Sequence, residues 1–211
     1  QAVCDVIGKL DLFFEKYYSS INLCGPELDA TQYQRHPLMF ACTHRSHMDY
    51  ILVGYKLHKK GFKNMRFAAG DNLTKLPYVG PRFTSLGAFT VSRDNGFERN
   101  YVRKLCDSVI CMLDRGEPII VFPEGGRSYS GAMLELKNGI LGAAVLAQAR
   151  DLDRDVYVVP IAVSYDLIPD LPYFNLLQKG KLLKKKSNPF VKRIIGSMFY
   201  FGADLFAYLP L

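Results

Sequence analysis

The chain has 211 residues, 49% of them hydrophobic and 22% charged, with a formal net charge of +7. It can bury a sizeable core and most simply forms one domain over 1–211. Five cysteines without a CxxC pair fit neither a disulfide framework nor a zinc site, and point to a reducing compartment with cytosol-facing thiols.

A start at Gln1 rather than Met, with no charged-then-apolar leader and cleavage site, points to a processed or trimmed chain. A leading helix is expected within 1–20, and further helices at 46–59, 97–115 and 139–150, the third closed by Gly116. Between them lie short runs rich in Val, Ile and Phe at 38–42, 65–69, 88–92, 119–122 and 156–164, which read as strands. Alternation of this kind predicts an α/β domain whose largely parallel sheet is covered by helices on both faces. In such sheets ligands sit beyond the carboxyl ends of the strands. Three polar clusters fall there: THRSHMDY at 43–50, SRDN at 92–95 and PEGGRS at 123–128.

Two of the four histidines and an aspartate share the first cluster. On a continuous helix His44 and Asp49 would stand roughly 140° apart and could not meet. A helix beginning at Ser46 instead leaves His44 on the strand-to-helix turn, with the Asp49 side chain pointing back toward it. A carboxylate so placed would hold one ring nitrogen as N–H, freeing the other to take a proton from an incoming alcohol. The same spacing, Ser46-x-x-Asp49, also reads as a capping box, in which Asp49 does no more than serve helix N–H groups. Two further readings are a metal site from His44, His47 and Asp49, for which no additional ligand cluster is present, and an acyl-enzyme through Cys42 on the same strand face. An inert buried thiol is the plainer account of Cys42.

The third cluster suits an anion. Gly125 and Gly126 let backbone N–H groups turn toward a ligand, and Arg127 offers a planar fork matched to phosphate oxygens, with Arg93 as a second cation. An ordinary glycine turn beside a surface arginine fits the same residues. No GxxxxGK[ST] and no GxGxxG opening a helix is present, so nucleotide binding loses its main support.

Residues 171–203 carry Lys179, Lys181, Lys184, Lys185, Lys186, Lys192 and Arg193 and no acid, so the rest of the chain sums to zero charge. The apolar segment 194–211 follows, with Asp204 its only charge, short for a spanning helix. Basic next to apolar reads as an interfacial contact with an anionic membrane, or as a core element of a larger parent. Nucleic acid is disfavoured, because the charge is confined to one segment without a recognition motif.

Taken together, HRSHMD (44–49), GAFTVSR (87–93), FPEGGRS (122–128) and VVPIAVSY (158–165) resemble, in order, the four blocks of the glycerolipid acyltransferase superfamily. The first is similar to its H-x4-D block, and the wording looks closest to the glycerol-3-phosphate acyltransferase branch. The resemblance implies that His44 and Asp49 are the catalytic pair, and that Arg93, Glu124, Gly125, Gly126 and Arg127 hold a phosphorylated glycerol-type acceptor. It implies an acyl-CoA or acyl-carrier-protein donor, no metal or organic cofactor, and a membrane surface faced from the cytosol in a peripheral or monotopic manner. Ser92 stands where related enzymes often carry a basic residue, and Pro123 is similar to the lysophosphatidate branch while Gly126 is similar to the glycerol-3-phosphate branch. Glycerol 3-phosphate therefore ranks first as acceptor, ahead of dihydroxyacetone phosphate and lysophosphatidate. A noncatalytic module that binds anionic membranes through 179–193 and the apolar segment is the rival from a different class.

Overall fold

A computed structural model describes residues 2–33, 36–75, 79–92, 98–128, 130–150 and 153–168. Arg93 and the segment 171–211 lie outside the described residues. Five strands, β1 (Leu38–Cys42), β2 (Arg66–Gly70), β3 (Ala88–Val91), β4 (Ile119–Val121) and β5 (Tyr157–Ile161), form one sheet in the order β3-β2-β4-β1-β5. Every pairing is parallel.

The period of two along the strands sorts side chains to two faces. Met39, Ile119 and Val121 pack with Val109, Ile110 and Leu113 of α5 (Arg99–Asp114) and with Ala143, Ala144 and Ala147 of α6 (Asn138–Arg150). Leu38, Phe40, Cys42 and Ile120 face the other way, onto Val53 and Leu57 of α2 (Asp49–Lys59). Helices thus cover both faces, as expected. The central strands β1 and β4 are buried on both, which explains their continuous apolar wording. Each fully enclosed side chain such as Phe40 contributes about 1.5–3 kcal/mol.

The helix α1 (Ala2–Tyr17) packs through Leu10, Phe13 and Phe14 against Met48 and the α2 residues Ile51, Leu52 and Tyr55. Among the described residues β5 is an edge strand paired only with β1, so Pro160, opposite Ala41, removes a donor that no further described strand needs. At the end of α5, Gly116 takes φ +71° and bonds Leu113 O while Glu117 N–H bonds Met112 O, the paired closure that a left-handed glycine permits.

Two short helices between β2 and β3, α3 (Asp71–Thr74) and α4 (Val79–Ser85), were not expected. Proline and glycine interrupt any helical period there. Gly80 makes the arrangement possible, since a Cβ there would stand 1.9 Å from Thr74 O. A second correction concerns α2, which begins at Asp49 and not at Ser46; its N-cap is Met48, without a side-chain cap bond. The reason lies in where the Asp49 carboxylate goes.

Candidate active site

The carboxyl ends of the adjacent strands β4, β1 and β5 converge on one corner. The loop after β1 folds around Asp49, whose residue is 0% exposed. One carboxylate oxygen, Oδ2, accepts the N–H groups of Arg45 at 2.6 Å and Ser46 at 2.9 Å. Ser46 Oγ in turn accepts Met48 N–H at 3.0 Å. Residues 45 and 46 curl back toward the carboxylate, and that curl delays the helix by three positions. The capping reading is therefore half met: Asp49 does take up backbone donors, but those of the turn that precedes the helix.

Oδ2 also meets His44 Nδ1 at 2.9 Å. An ionised carboxylate can only accept, so Nδ1 carries the hydrogen and Nε2 is left with its lone pair. The imidazole lies at 32° over Phe122 with centroids 4.4 Å apart, which fixes the ring plane against β4's end. Its side chain keeps 15% exposure while Asp49 keeps none, so the basic nitrogen belongs to a partly open surface and its partner to the interior. The geometry is that of a carboxylate behind an imidazole.

Cys42 does not suit the acyl-enzyme reading. It is 1% exposed, its S–H lies 3.8 Å from Phe40 O, and burial, with the charge of Asp49 behind it, pushes the thiol far above its ordinary range. Among the described residues no group of three His, Cys, Asp or Glu side chains could hold a metal ion.

The loop after β4 is joined to this corner by Glu124, 3% exposed. Its Oε1 accepts His44 N–H at 2.9 Å, and Oε2 accepts Leu134 N–H at 2.8 Å and lies 3.3 Å from Arg45 Nη1. Ser128 N–H donates to His44 O at 3.1 Å, and Lys137 N–H closes the loop on Pro123 O at 2.8 Å. Gly125 has φ +63°, and its N–H turns back to Phe122 O at 2.9 Å, so it shapes the turn and that donor is taken. Gly126 is half-buried with open space where a Cβ would stand. Arg127 is half-buried, with Nη1 enclosed, one residue from the Ser128 contact to His44. The structure thus brings His44, Asp49, Glu124 and the turn 125–128 together.

Residues 27–164 match the sequence profile of the family described as Acyltransferase. The chain belongs to the acyltransferase family. Among relatives, this acyltransferase domain is 32% identical over 194 residues to a "Glycerol-3-phosphate acyltransferase" of Shewanella halifaxensis, an alignment covering 92% of this chain and 24% of the relative. Proteins of the same name from Shewanella pealeana and Shewanella frigidimarina are 32% identical over 179 residues, 84% of this chain and 22% of each relative. The domain therefore spans about a quarter of the length of the relatives it matches.

Three members of the acyltransferase corner were not singled out from the sequence. Arg45 sits inside HRSHMD, but only the fold shows that it reaches across to Glu124. Thr43 joins the end of β5 to the corner: its N–H donates to Ile161 O at 3.0 Å and its Oγ1 accepts Val163 N–H at 2.8 Å. Tyr165, brought in by that link, donates its O–H to Asp49 Oδ1 at 2.6 Å. It closes VVPIAVSY, yet nothing local ties residue 165 to residue 49.

Proposed function

We propose that the domain transfers a fatty acyl group from a thioester, acyl-CoA or acyl-carrier protein, to a hydroxyl of glycerol 3-phosphate. The observation that carries this reading is the His44 Nδ1 to Asp49 Oδ2 contact at 2.9 Å on a strand-to-helix corner. Asp49 acts through His44 by fixing its tautomer and by stabilising the imidazolium that forms. His44 Nε2 takes the proton of the acceptor hydroxyl. The acceptor oxygen forms its bond to the thioester carbonyl carbon, the C–S bond breaks, and the departing sulfur takes the proton back from the imidazolium. The reaction balances as an ester and a free thiol, and draws on no metal or organic cofactor.

The acceptor phosphate is assigned to Arg127, with Arg93 as a second cation, on the turn that Gly125 and Gly126 shape and Glu124 braces. The names of the Shewanella relatives support glycerol 3-phosphate as acceptor. No helix among the described residues is long and apolar enough to cross a membrane. Contact with a membrane surface is assigned, from their charge and apolar wording, to the basic run 179–193 and the apolar segment after it.

The test supplies labelled palmitoyl-CoA with glycerol 3-phosphate, dihydroxyacetone phosphate and lysophosphatidate in parallel, using parent protein and His44→Ala. Acylation of glycerol 3-phosphate that falls by about 10²–10⁴ in the variant is expected, the usual worth of a general base. Transfer by folded His44→Ala at the parent rate would reject the mechanism, and acylation of another acceptor alone would reassign the substrate.

A further inference from the structure

We infer that Tyr165 is a positioning residue for the His44–Asp49 pair, acting through the carboxylate oxygen that His44 does not touch. The inference rests on the general-base reading above. Asp49 is fully enclosed and accepts four donors: His44 Nδ1, Arg45 N–H and Ser46 N–H on Oδ2, and the Tyr165 hydroxyl on Oδ1. Three of the four donors come from residues 44–46, on one side of the carboxylate. Tyr165 comes from 116 positions further along and, among the described residues, is the one partner of Oδ1.

Geometry gives this single contact a definite task. A carboxylate can rotate about its own bond, and donors gathered on one oxygen do not hold its plane. A donor on the opposite oxygen fixes the plane, and therefore the direction in which Oδ2 receives the imidazole N–H. The hydroxyl is itself held. Thr43 ties the chain after β5 to the β1 loop at two points, Thr43 N–H to Ile161 O and Val163 N–H to Thr43 Oγ1. The tyrosine ring packs in the α1–α2 cluster, 6.5 Å from Tyr18 by centroid. The three neighbouring strands β4, β1 and β5 each contribute one part: Phe122 under the ring, His44 itself, and the phenol behind the carboxylate. Tyr165 reaches the pair by way of Asp49, through its hydroxyl on Oδ1.

The experiment uses Tyr165→Phe, which keeps the ring and removes the hydroxyl. Two readings are taken on the folded fraction, tracked by thermal unfolding: steady-state kinetics, and the ring 15N signals of His44, assigned by their loss in His44→Ala. Loss of a hydrogen bond to a charged group should lower kcat about 10- to 100-fold, with KM for donor and acceptor unchanged. The His44 ring signals should move from the single Nδ1–H form toward a mixture of tautomers. Parent kcat, a rise in KM at constant kcat, or unchanged His44 signals would each overturn the proposal. The ring signals need no turnover, so they test Tyr165 even if His44→Ala were to acylate normally and the base assignment were to fail.

Discussion

Glu124 Oε1 accepts the backbone N–H of His44 at 2.9 Å across 80 positions of sequence, and the glutamate is 3% exposed. Its other oxygen serves Leu134 N–H and Arg45. Alanine at 124 would strand two backbone donors and take the carboxylate from a guanidinium that keeps 15% exposure. Removing one partner of a buried charged set typically costs about 3–5 kcal/mol. Glu124→Ala should therefore lower the thermal midpoint by roughly 2–4 °C for each kcal/mol, the scale for a domain of this size. A midpoint equal to the parent's would show that the two loops stand without this brace.

Cys42 lies two residues from His44, yet its thiol is enclosed and burial keeps it protonated. Only the thiolate is a nucleophile, so Cys42 should carry no acyl group at any stage. Cys42→Ala should retain transfer within the same order of magnitude. Incubation of the parent with acyl donor alone, followed by mass spectrometry, should leave residue 42 unmodified. An acyl adduct there would replace direct transfer by a two-step route.

The parts of the fold visible in the sequence were those with a local cause. Met39-Phe40 and Ile119-Ile120-Val121 declare buried parallel strands because both faces are covered, and Gly116 marks the end of α5 because only glycine closes that turn at φ +71° without strain. The start of α2 was misread because the signal at Ser46 and Asp49 is genuine but serves another purpose: Asp49 spends its oxygens on the turn and on His44. The helices α3 and α4 were hidden by Pro77, Gly80 and Pro81, which break a periodic pattern even where tertiary packing supplies the helix. At the site, the His44–Asp49 contact was legible because five residues separate the pair. Glu124 to Arg45 and Tyr165 to Asp49 were not, since 79 and 116 positions intervene and only strand order brings them together.

The docking of α1 on α2 should depend on pH at both ends of the scale. Tyr55 donates its hydroxyl to Asp11, and Lys59 pairs with the same carboxylate at 2.9 Å. The Tyr55 hydrogen bond first, then Lys59, holds Asp11 below its ordinary value of 3.8. A depressed carboxylate contributes stability that is present above the unfolded value and is lost as pH falls through the lower folded one. Tyr55 is pushed up to about 12, first by burial and then by Asp11, so its contribution is present below about 10 and lost as pH rises toward 12. Asp11→Asn should flatten both limbs in urea midpoints measured across the range. Limbs as steep as the parent's would mean that other groups set them. The effect is expected to be small, because Asp11 keeps 33% exposure and water screens the pair.

Three glycines provide an ordered test of the packing around the sheet. Gly87 opens the way into β3 with φ +99°, and a Cβ there would stand 2.3 Å from Met65 O, a backbone atom that cannot retreat without moving β2. Gly116 has φ +71° but nothing within 4 Å of the same added atom, so alanine meets only the left-handed penalty of about 1–2 kcal/mol. Gly142 lies inside α6 with ordinary backbone and open space, where alanine should stabilise by roughly 0.5–1 kcal/mol. Denaturant unfolding should accordingly rank Gly142→Ala above the parent, Gly116→Ala below it and Gly87→Ala lowest. The difference between the two left-handed sites isolates the clash, because the backbone term is common to both. Equal losses at 87 and 116 would mean that β2 and β3 shift freely past one another. In that case the register Phe67 to Ala88, which sets where β3 ends, would not be fixed by this contact.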